Sequence, residues 1–569
     1  MKQLRCLIVI VLTGWQIGLL AQERVGDFAL LDAAGYFHQM SWYGDASAIA
    51  LLVQSNGSST DSGAIQAFED LRSRYEAQGI VFFMINPSGR DQRSAVLAEM
   101  ARFGSEIPVL MDDAQLVAEA LGVTRTGEAI IYDPKRFEIR YRGPADQGFD
   151  AALQAALNGS SMPASRIAAG DPVVFPARDG HARLTPSYER DIAPIIAANC
   201  ANCHREEGIA PFALNSHTMV QGWSPMIREV VMTKRMPPGQ VDPHIGEFSN
   251  DMVLDDADAQ KLLHWIAAGA PNDSTIDPLQ ELTWPTTRWA FGEPDYIIRI
   301  PPQEIPATGV LDYYNVVVSV DIEKDRWVRA SQYIPGDRSV LHHTLHSIIP
   351  PGATRGGSLL GGDDPDRPNI APYIPGQDPR MEPPNTGGLL KAGSRIAMQM
   401  HYTTNGKATV DASEIGLWFY PEGFVPEERM VGDCACIFTP TFTPTWQDIP
   451  PHDPDYKMKT SFVIERDARL FSLTPHMHFR GKRMRFFADY PDGSREELLN
   501  IARYNYNWQL AYTFREPKLV PGGTVITAEG AFDNSTRNPF NPDPDRAVPW
   551  GLQSWDEMFF GAADWKYLE

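Results

Sequence analysis

Ala397-Met398-Gln399-Met400-His401-Tyr402 sets Met398, Met400 and Tyr402 on one parity and Ala397, Gln399 and His401 on the other. A period of two marks a half-buried strand, and here the face opposite the apolar one carries a histidine. Residues 315–320 repeat the alternation. From about 285 to the end, such short runs are separated by segments rich in Pro, Gly, Asp and Asn. That is the texture of all-β sandwiches. Upstream the pattern changes. Residues 186–275 read as helical, while 160–185, with Ser160, Ser161, Pro163, Pro172 and Pro176 and no periodicity, read as a linker. Between 24 and 159, strand-like runs at 48–53 and 80–86 alternate with helical spacing at 63–78 and 94–103. A hairpin-like pair follows at 129–133 and 139–141, giving an α/β unit.

A chain of 569 residues is too long for one core and divides into roughly three to five domains. The 50 Lys+Arg against 72 Asp+Glu give a net charge of -22, spread along the chain, which excludes nucleic acid as a partner by repulsion of its phosphates. Residues 1–21 read as an export signal: Lys2 and Arg5 precede an apolar stretch, and Ala21 is a cleavage position. Thr13, Gly14 and Gln16 make that stretch too polar for a spanning helix. The large Leu19 keeps retention as a membrane anchor open as the alternative. The expected location is periplasmic or secreted.

Of five cysteines, Cys6 lies in the signal, leaving Cys200/Cys203 and Cys434/Cys436. Two close pairs do not build a disulfide framework. Cys200-Ala201-Asn202-Cys203-His204 is the C-x-x-C-H motif of covalent haem attachment, in which two thiols one helical turn apart meet the two vinyl groups and the imidazole faces the iron. No second C-x-x-C or paired histidine stands nearby to make it a zinc site. Seven of the 13 histidines, His342, His343, His346, His401, His452, His476 and His478, fall between 342 and 478. His476-Met477-His478 on a strand turns both imidazoles to one face. His342 and His343 are neighbours and reach one ion only at a strand end or bulge; His346 is the fallback ligand. His346 and His452 otherwise read as core or surface residues. Cys434-Ala435-Cys436 reads as a structural or disulfide pair ahead of a metal-binding one, and Tyr506, Trp508 and Trp555 as packing.

Three resemblances follow from these motifs. Residues 24–159 resemble the redoxin (thioredoxin-like) family. The position of its nucleophilic cysteine is occupied by Ser55-Asn56-Gly57-Ser58-Ser59, and its Thr-Pro pair is Thr126-Gly127. A serine hydroxyl cannot exchange disulfides, so reductase or thiol peroxidase activity is expected to be absent there. Residues 186–275 resemble a small c-type cytochrome domain: Tyr188-Glu189-Arg190-Asp191-Ile192 leads in, Arg235-Met236-Pro237-Pro238-Gly239 supplies the distal methionine, and 263–271 form the closing helix. Met226 and Met232 rival Met236 as the distal ligand. From about 289 onward the chain resembles the copper type II monooxygenases, the peptidylglycine α-hydroxylating and dopamine β-monooxygenase family. The resemblance rests on Pro335-Gly336-Asp337 before His342-His343, then Gln399-Met400-His401-Tyr402, Pro475-His476-Met477-His478, Asp533-Asn534-Ser535, and the block from Gly551 to Met558.

That last resemblance implies an electron-storing copper at His342, His343 and His401. It also implies an oxygen-activating copper at His476, His478 and Met558, whose thioether favours Cu(I). The expected architecture is a multidomain chain. An α/β thioredoxin-like domain (24–159) and a small all-α cytochrome c domain (186–275) precede two all-β, jelly-roll-like sandwiches (285–430 and 431–569). The implied function is hydroxylation of a substrate C–H bond with O2. The cofactors are two copper ions and one covalent haem at Cys200, Cys203, His204 and Met236. Electrons pass in cis from the haem, or come from ascorbate or a periplasmic donor. The substrate is a small molecule or a peptide. The alternative is a non-catalytic envelope electron carrier or copper-handling protein.

Overall fold

A computed structural model describes residues 24–568 apart from 59–60, 90, 207, 285–287, 355–369, 371, 377–378 and 439–444. The expected signal, with Lys2, Arg5, Cys6 and Ala21, lies outside these residues, as does Ser59. Among the described residues no helix is long and apolar enough to cross a membrane.

The apolar run Ala48–Val53 becomes an interior strand of a seven-stranded sheet, and every residue in it is buried. A continuous apolar run fits a strand covered on both faces. It runs parallel to Ile80–Asn86 and antiparallel to Glu128–Asp133. The two parities find different partners. Ala48, Ala50 and Leu52 pack with Ile65, Phe68 and Leu71 of helix Asp61–Tyr75. Ile49, Leu51 and Val53 share a core with Phe175, Met232 and Leu263, which belong to the following helical region. The helical region thus seals one face of the sheet. The stretch read as a linker contributes to this seal and carries its own helix, Pro176–Arg183, which departs from the structureless reading.

Helices Ala193–Asn199, His217–Met232 and Asp256–Ala267 close on Tyr188, Ile192, Ile196, Val220, Leu262 and Trp265. Ser216 and Asp255 cap the last two helices by accepting backbone N–H groups. Beyond residue 285 the described sheets are all antiparallel. In the first sandwich, Tyr314–Ser319, Arg395–Tyr402 and Leu341–Ile349 form one sheet, facing a second built on Arg326–Ile334 and Glu414–Phe419. In the second, Val431–Ile437, Phe559–Tyr567, Ala468–His476 and Tyr512–Val520 face Tyr456–Ile464, Thr524–Phe532, Gly481–Asp489 and Arg495–Ile501. The chain is therefore multidomain, with an α/β region and separate β-sandwich regions.

Asp242 ties three regions together. Its buried carboxylate accepts from Arg93 Nη1 at 2.6 Å and from Asn500 Nδ2 at 3.1 Å. Asn500 also donates to the Gly35 carbonyl at 2.9 Å.

The facing sheets of the second sandwich approach closely at Gly561, where a Cβ would lie 2.5 Å from Ala528 Cβ and 3.0 Å from Phe486 Cε1. Gly561→Ala is expected to lower stability by about 1–3 kcal/mol through overpacking. Gly63→Ala, on a helix with open space around it, is expected to be neutral or stabilising. Chemical denaturation of the two variants checks the contrast.

Candidate metal centres

Strand Leu341–Ile349 pairs with Arg395–Tyr402, and the register slips between Leu341 and His343. That bulge overcomes the alternation that would otherwise send His342 and His343 to opposite faces. His343 then stands opposite His401. The three ring centroids lie 5.2 Å (342–343), 5.3 Å (342–401) and 4.9 Å (343–401) apart. One ligand nitrogen from each falls within 4.8 Å of the others. His342 Nε2 donates to Asn507 Oδ1 at 3.3 Å, which leaves its Nδ1 as an acceptor, 2.9 Å from His343 Nδ1. His346 stays outside the cluster: it bonds Thr344 Oγ1 at 2.9 Å and stacks on Tyr333. His452 is an exposed residue paired with Asp545.

His476 is the last residue of strand Ala468–His476, and His478 lies beyond it. The pair therefore does not sit on one regular strand as the His-x-His spacing predicts. The chain turns instead and brings the rings to 5.2 Å at 87°. His476 Nδ1 donates to Gln509 Oε1 at 2.6 Å, and His478 Nδ1 to the Asp556 carbonyl at 3.3 Å. Because both partners only accept, each ring keeps Nε2 for a ligand role. Gln509 is itself oriented by its donation to the Tyr506 carbonyl at 2.9 Å. His476 pairs with Phe560 across the sheet, and Phe560 lies two residues beyond Met558. Met558 is buried among Phe560 and Cys436.

Burial disfavours the charged form of every one of these imidazoles. It pulls His342 and His476 down to about 4 and His401 to about 3. His343 and His478 fall well below the ordinary histidine range. His343 is lowered further by the other four rings, so the two sets sense each other's charge. All five are neutral at pH 7 and hold nitrogen lone pairs, as metal binding requires. The first set fits zinc, copper, iron or nickel; the second, with a thioether at hand, fits a softer ion.

Residues that the sequence reading assigned elsewhere complete the site. Tyr506 does pack, but on the histidines: its ring stacks on His342 at 4.6 Å and its hydroxyl lies 3.4 Å from His401 Nδ1. Trp508 covers Gly376 of the first sandwich and reaches Gly239 of the helical region. Behind His478, Glu557 accepts the backbone N–H groups of His478 at 2.8 Å and Arg480 at 2.6 Å. Arg480, with no exposed surface, is held by Asn534 and by the carbonyl of Trp555, the residue read as packing. The signal available for these was the run Tyr504-Asn505-Tyr506-Asn507-Trp508-Gln509, whose alternation of aromatic and amide groups suits neither a core strand nor an ordinary polar turn.

Cys200 and Cys203 are not joined to each other, and burial pushes the Cys200 thiol up to about 12. His204 Nδ1 donates to the Phe212 carbonyl at 3.1 Å, again freeing Nε2. Met232 lies in the core beneath the α/β sheet, whereas Met236 and Met226 are exposed. Cys434 and Cys436 are paired as a disulfide.

No family model and no curated protein matches the chain. Solved structures match over about a quarter of the chain. A putative thiol:disulfide interchange protein DsbE from Chlorobium tepidum is 17% identical, covering 24% of this chain and 96% of that one, with a TM-score of 0.22. The exposed lipoprotein thioredoxin of Streptococcus pneumoniae is 20% identical over 23% and 99% of the two chains, TM-score 0.21. Peroxidoxin BcpB from Mycobacterium tuberculosis is 21% identical over 24% and 96%, TM-score 0.21. These findings correct the family expectation. The assignment to copper type II monooxygenases fused to a cytochrome c is not upheld: no family model and no curated protein matches, and the structures that do match are of thioredoxin and thiol:disulfide interchange type. In the α/β region Ser58 Oγ contacts Thr126 Oγ1 and Asp171.

The neutral imidazoles link stability to pH. The unfolded chain takes up protons near pH 6.5 while the folded one does so only near 3–4, so stability is lost as pH falls through that interval. Metal-free protein should lose up to ~1.4 kcal/mol per pH unit for each such histidine. A thermal unfolding series from pH 7.5 to 5 should show this fall, with a shallower slope for His401→Phe.

Proposed function

We propose that this chain is an exported redox protein that takes up, stores and passes on electrons. In this reading a covalent haem is held by Cys200, Cys203 and His204 with Met236 as distal ligand, and copper by His342, His343 and His401 and by His476, His478 and Met558. Haem and copper would supply one-electron exchange. The residues fit these groups. Two thiols are spaced one turn apart, His204 presents Nε2 with Nδ1 tied back, and five buried neutral imidazoles converge in two sets.

One observation carries the reading. A single segment, residues 504–512, touches both histidine sets and the helical region that bears the C-x-x-C-H motif. Tyr506 and Asn507 meet His342, and Gln509 holds His476. Tyr512 Oη donates to the Gly239 carbonyl at 2.9 Å, three residues beyond Met236. Arg503, just before the segment, donates to the Thr233 carbonyl. In this reading the contiguous packed aromatic and amide groups carry electrons between the 233–239 stretch, which includes Met236, and both histidine sets. Ascorbate or a periplasmic carrier is the external donor, and the α/β region is a packing partner for the helices.

A second reading is O2-dependent hydroxylation of a substrate C–H bond at His476, His478 and Met558. The observation favouring it is the unequal donor sets: three imidazoles on one side, two imidazoles with a neighbouring thioether on the other. Copper in such a pair would divide electron storage from dioxygen chemistry. The chain's own part would be to fix each imidazole tautomer through Gln509 and Asp556 and to shield the set with Tyr506 and Phe560.

Metal analysis with a haemochrome spectrum should give one haem and two copper ions per chain. His401→Ala should lose one copper with the haem intact, and Cys200→Ser/Cys203→Ser should lose the covalent haem. When reduced protein is mixed with oxygen in a stopped flow, haem and copper should reoxidise together, more slowly in Trp508→Ala; independent reoxidation would refute the relay. Oxygen uptake that depends on an added C–H substrate and vanishes in Met558→Ala, with an unchanged haem spectrum, would establish the second reading over simple electron transfer.

A further inference from the structure

Cys434 and Cys436 lie on Val431–Ile437, an edge strand of the second sandwich. Residues two apart share a face. Their neighbours of opposite parity, Ala435 and Ile437, belong to the main core, whereas Cys436 belongs to a separate buried cluster with Met558 and Phe560. The thiols therefore point away from the core, on the face that carries the second histidine set. Register makes this specific. Cys436 stands opposite Phe560, and Phe560 stands opposite His476, so the three form one row across three strands. Two strand spacings put the first and last about 10 Å apart. His476 stacks on the Phe560 ring at 5.6 Å. Cys434 is half-buried and Cys436 is 4% exposed, so the pair leads from the surface towards Met558.

A bridge between residues two apart closes so short a loop that it constrains the unfolded chain little, and stability gives a weak reason for it. Sulfur chemistry gives a stronger one. Thiolates and thioethers favour monovalent copper, and imidazoles accept both copper states. On this face the two cysteines share a cluster with Met558 and Phe560, and His476 stacks on Phe560.

We infer that Cys434 and Cys436, once reduced, form an acquisition site for monovalent copper that hands the ion to His476, His478 and Met558; the inference rests on the reading of that set as a copper centre. An external dithiol supplies two electrons and two protons to open the Cys434–Cys436 disulfide and is itself oxidised to a disulfide. Binding of Cu(I) releases the two thiol protons, and transfer of the ion to the thioether and imidazoles lets both thiolates take protons back. Copper remains Cu(I) throughout.

The test uses full-length, metal-free protein, reduced with a phosphine and mixed anaerobically with a Cu(I)–chelator complex. Thiolate-to-Cu(I) absorption in the ultraviolet and final copper content are followed. In wild type the band should rise and then decay as copper moves on. Cys434→Ser/Cys436→Ser should show no band and reach the same final histidine-bound copper at least about tenfold more slowly, since transfer is no longer intramolecular. In His476→Ala/His478→Ala/Met558→Ala the band should persist while the thiols stay reduced, and one copper should be lost once they are reoxidised to the disulfide. Unchanged loading in the serine variant, with copper lost in the histidine–methionine variant, would overturn the relay alone. No copper lost in the histidine–methionine variant, with a wild-type band that never decays, would overturn the centre and the relay together.

Discussion

Withdrawal of histidine from water is the constraint on which the site depends. A surface imidazole near neutral pH divides its time between a cation and a base, and several close together repel one another when charged. In this chain the two sandwiches bury five rings in adjoining sets, so that none carries a positive charge at pH 7. Burial alone would leave the tautomers undefined. The carbonyl oxygens of Asn507, Gln509 and Asp556 each claim one N–H, and the remaining nitrogen of each ring is thereby set. The protein spends stability to hold five polar rings out of solvent, and a metal ion taking up their lone pairs would return it.

Holding two sandwiches in this relation takes more than the histidines. Tyr313 Oη donates to the Leu552 carbonyl at 2.7 Å and Arg380 reaches Asp564 at 3.5 Å, each crossing from the first sandwich to the second. Behind the second set, Glu557 and Arg480 form a buried network in which the carboxylate holds the backbone on either side of Phe479. The turn from His476 to His478 is thus fixed from beneath. The orientation of the rings follows from the path of the chain as much as from side-chain preference.

Much of this was legible in the residues. The runs at 48–53 and 80–86 declared buried strands because nothing polar interrupts them, and both form over those spans. The strand around 397–402 showed its two faces through alternation. The need for a bulge at His342-His343 followed from the alternation rule, and the register slips there. What could not be read were relations between distant segments. Residues 504–512 look like a turn of aromatic and amide groups, and only the meeting of two sandwiches and a helical region makes them the junction. The geometry of His476-x-His478 was misjudged because spacing says nothing about where a strand stops. The family reading erred in a different way. Short ordered blocks can repeat the side chains that a metal site needs without settling descent, since the same donors recur wherever the same chemistry is built.

The seal between the α/β sheet and the helices has a consequence for how the chain comes together. The last strand of that sheet ends at Pro144, yet the side chains of Ile49, Leu51 and Val53 have no complete apolar partner until Phe175, Met232 and Leu263 are in place. A boundary drawn at residue 159 divides the sequence but not the folded body. As the polypeptide lengthens, the front of the protein stays unfinished for more than a hundred residues, and the segment that finishes it is the one that carries Cys200, Cys203 and His204.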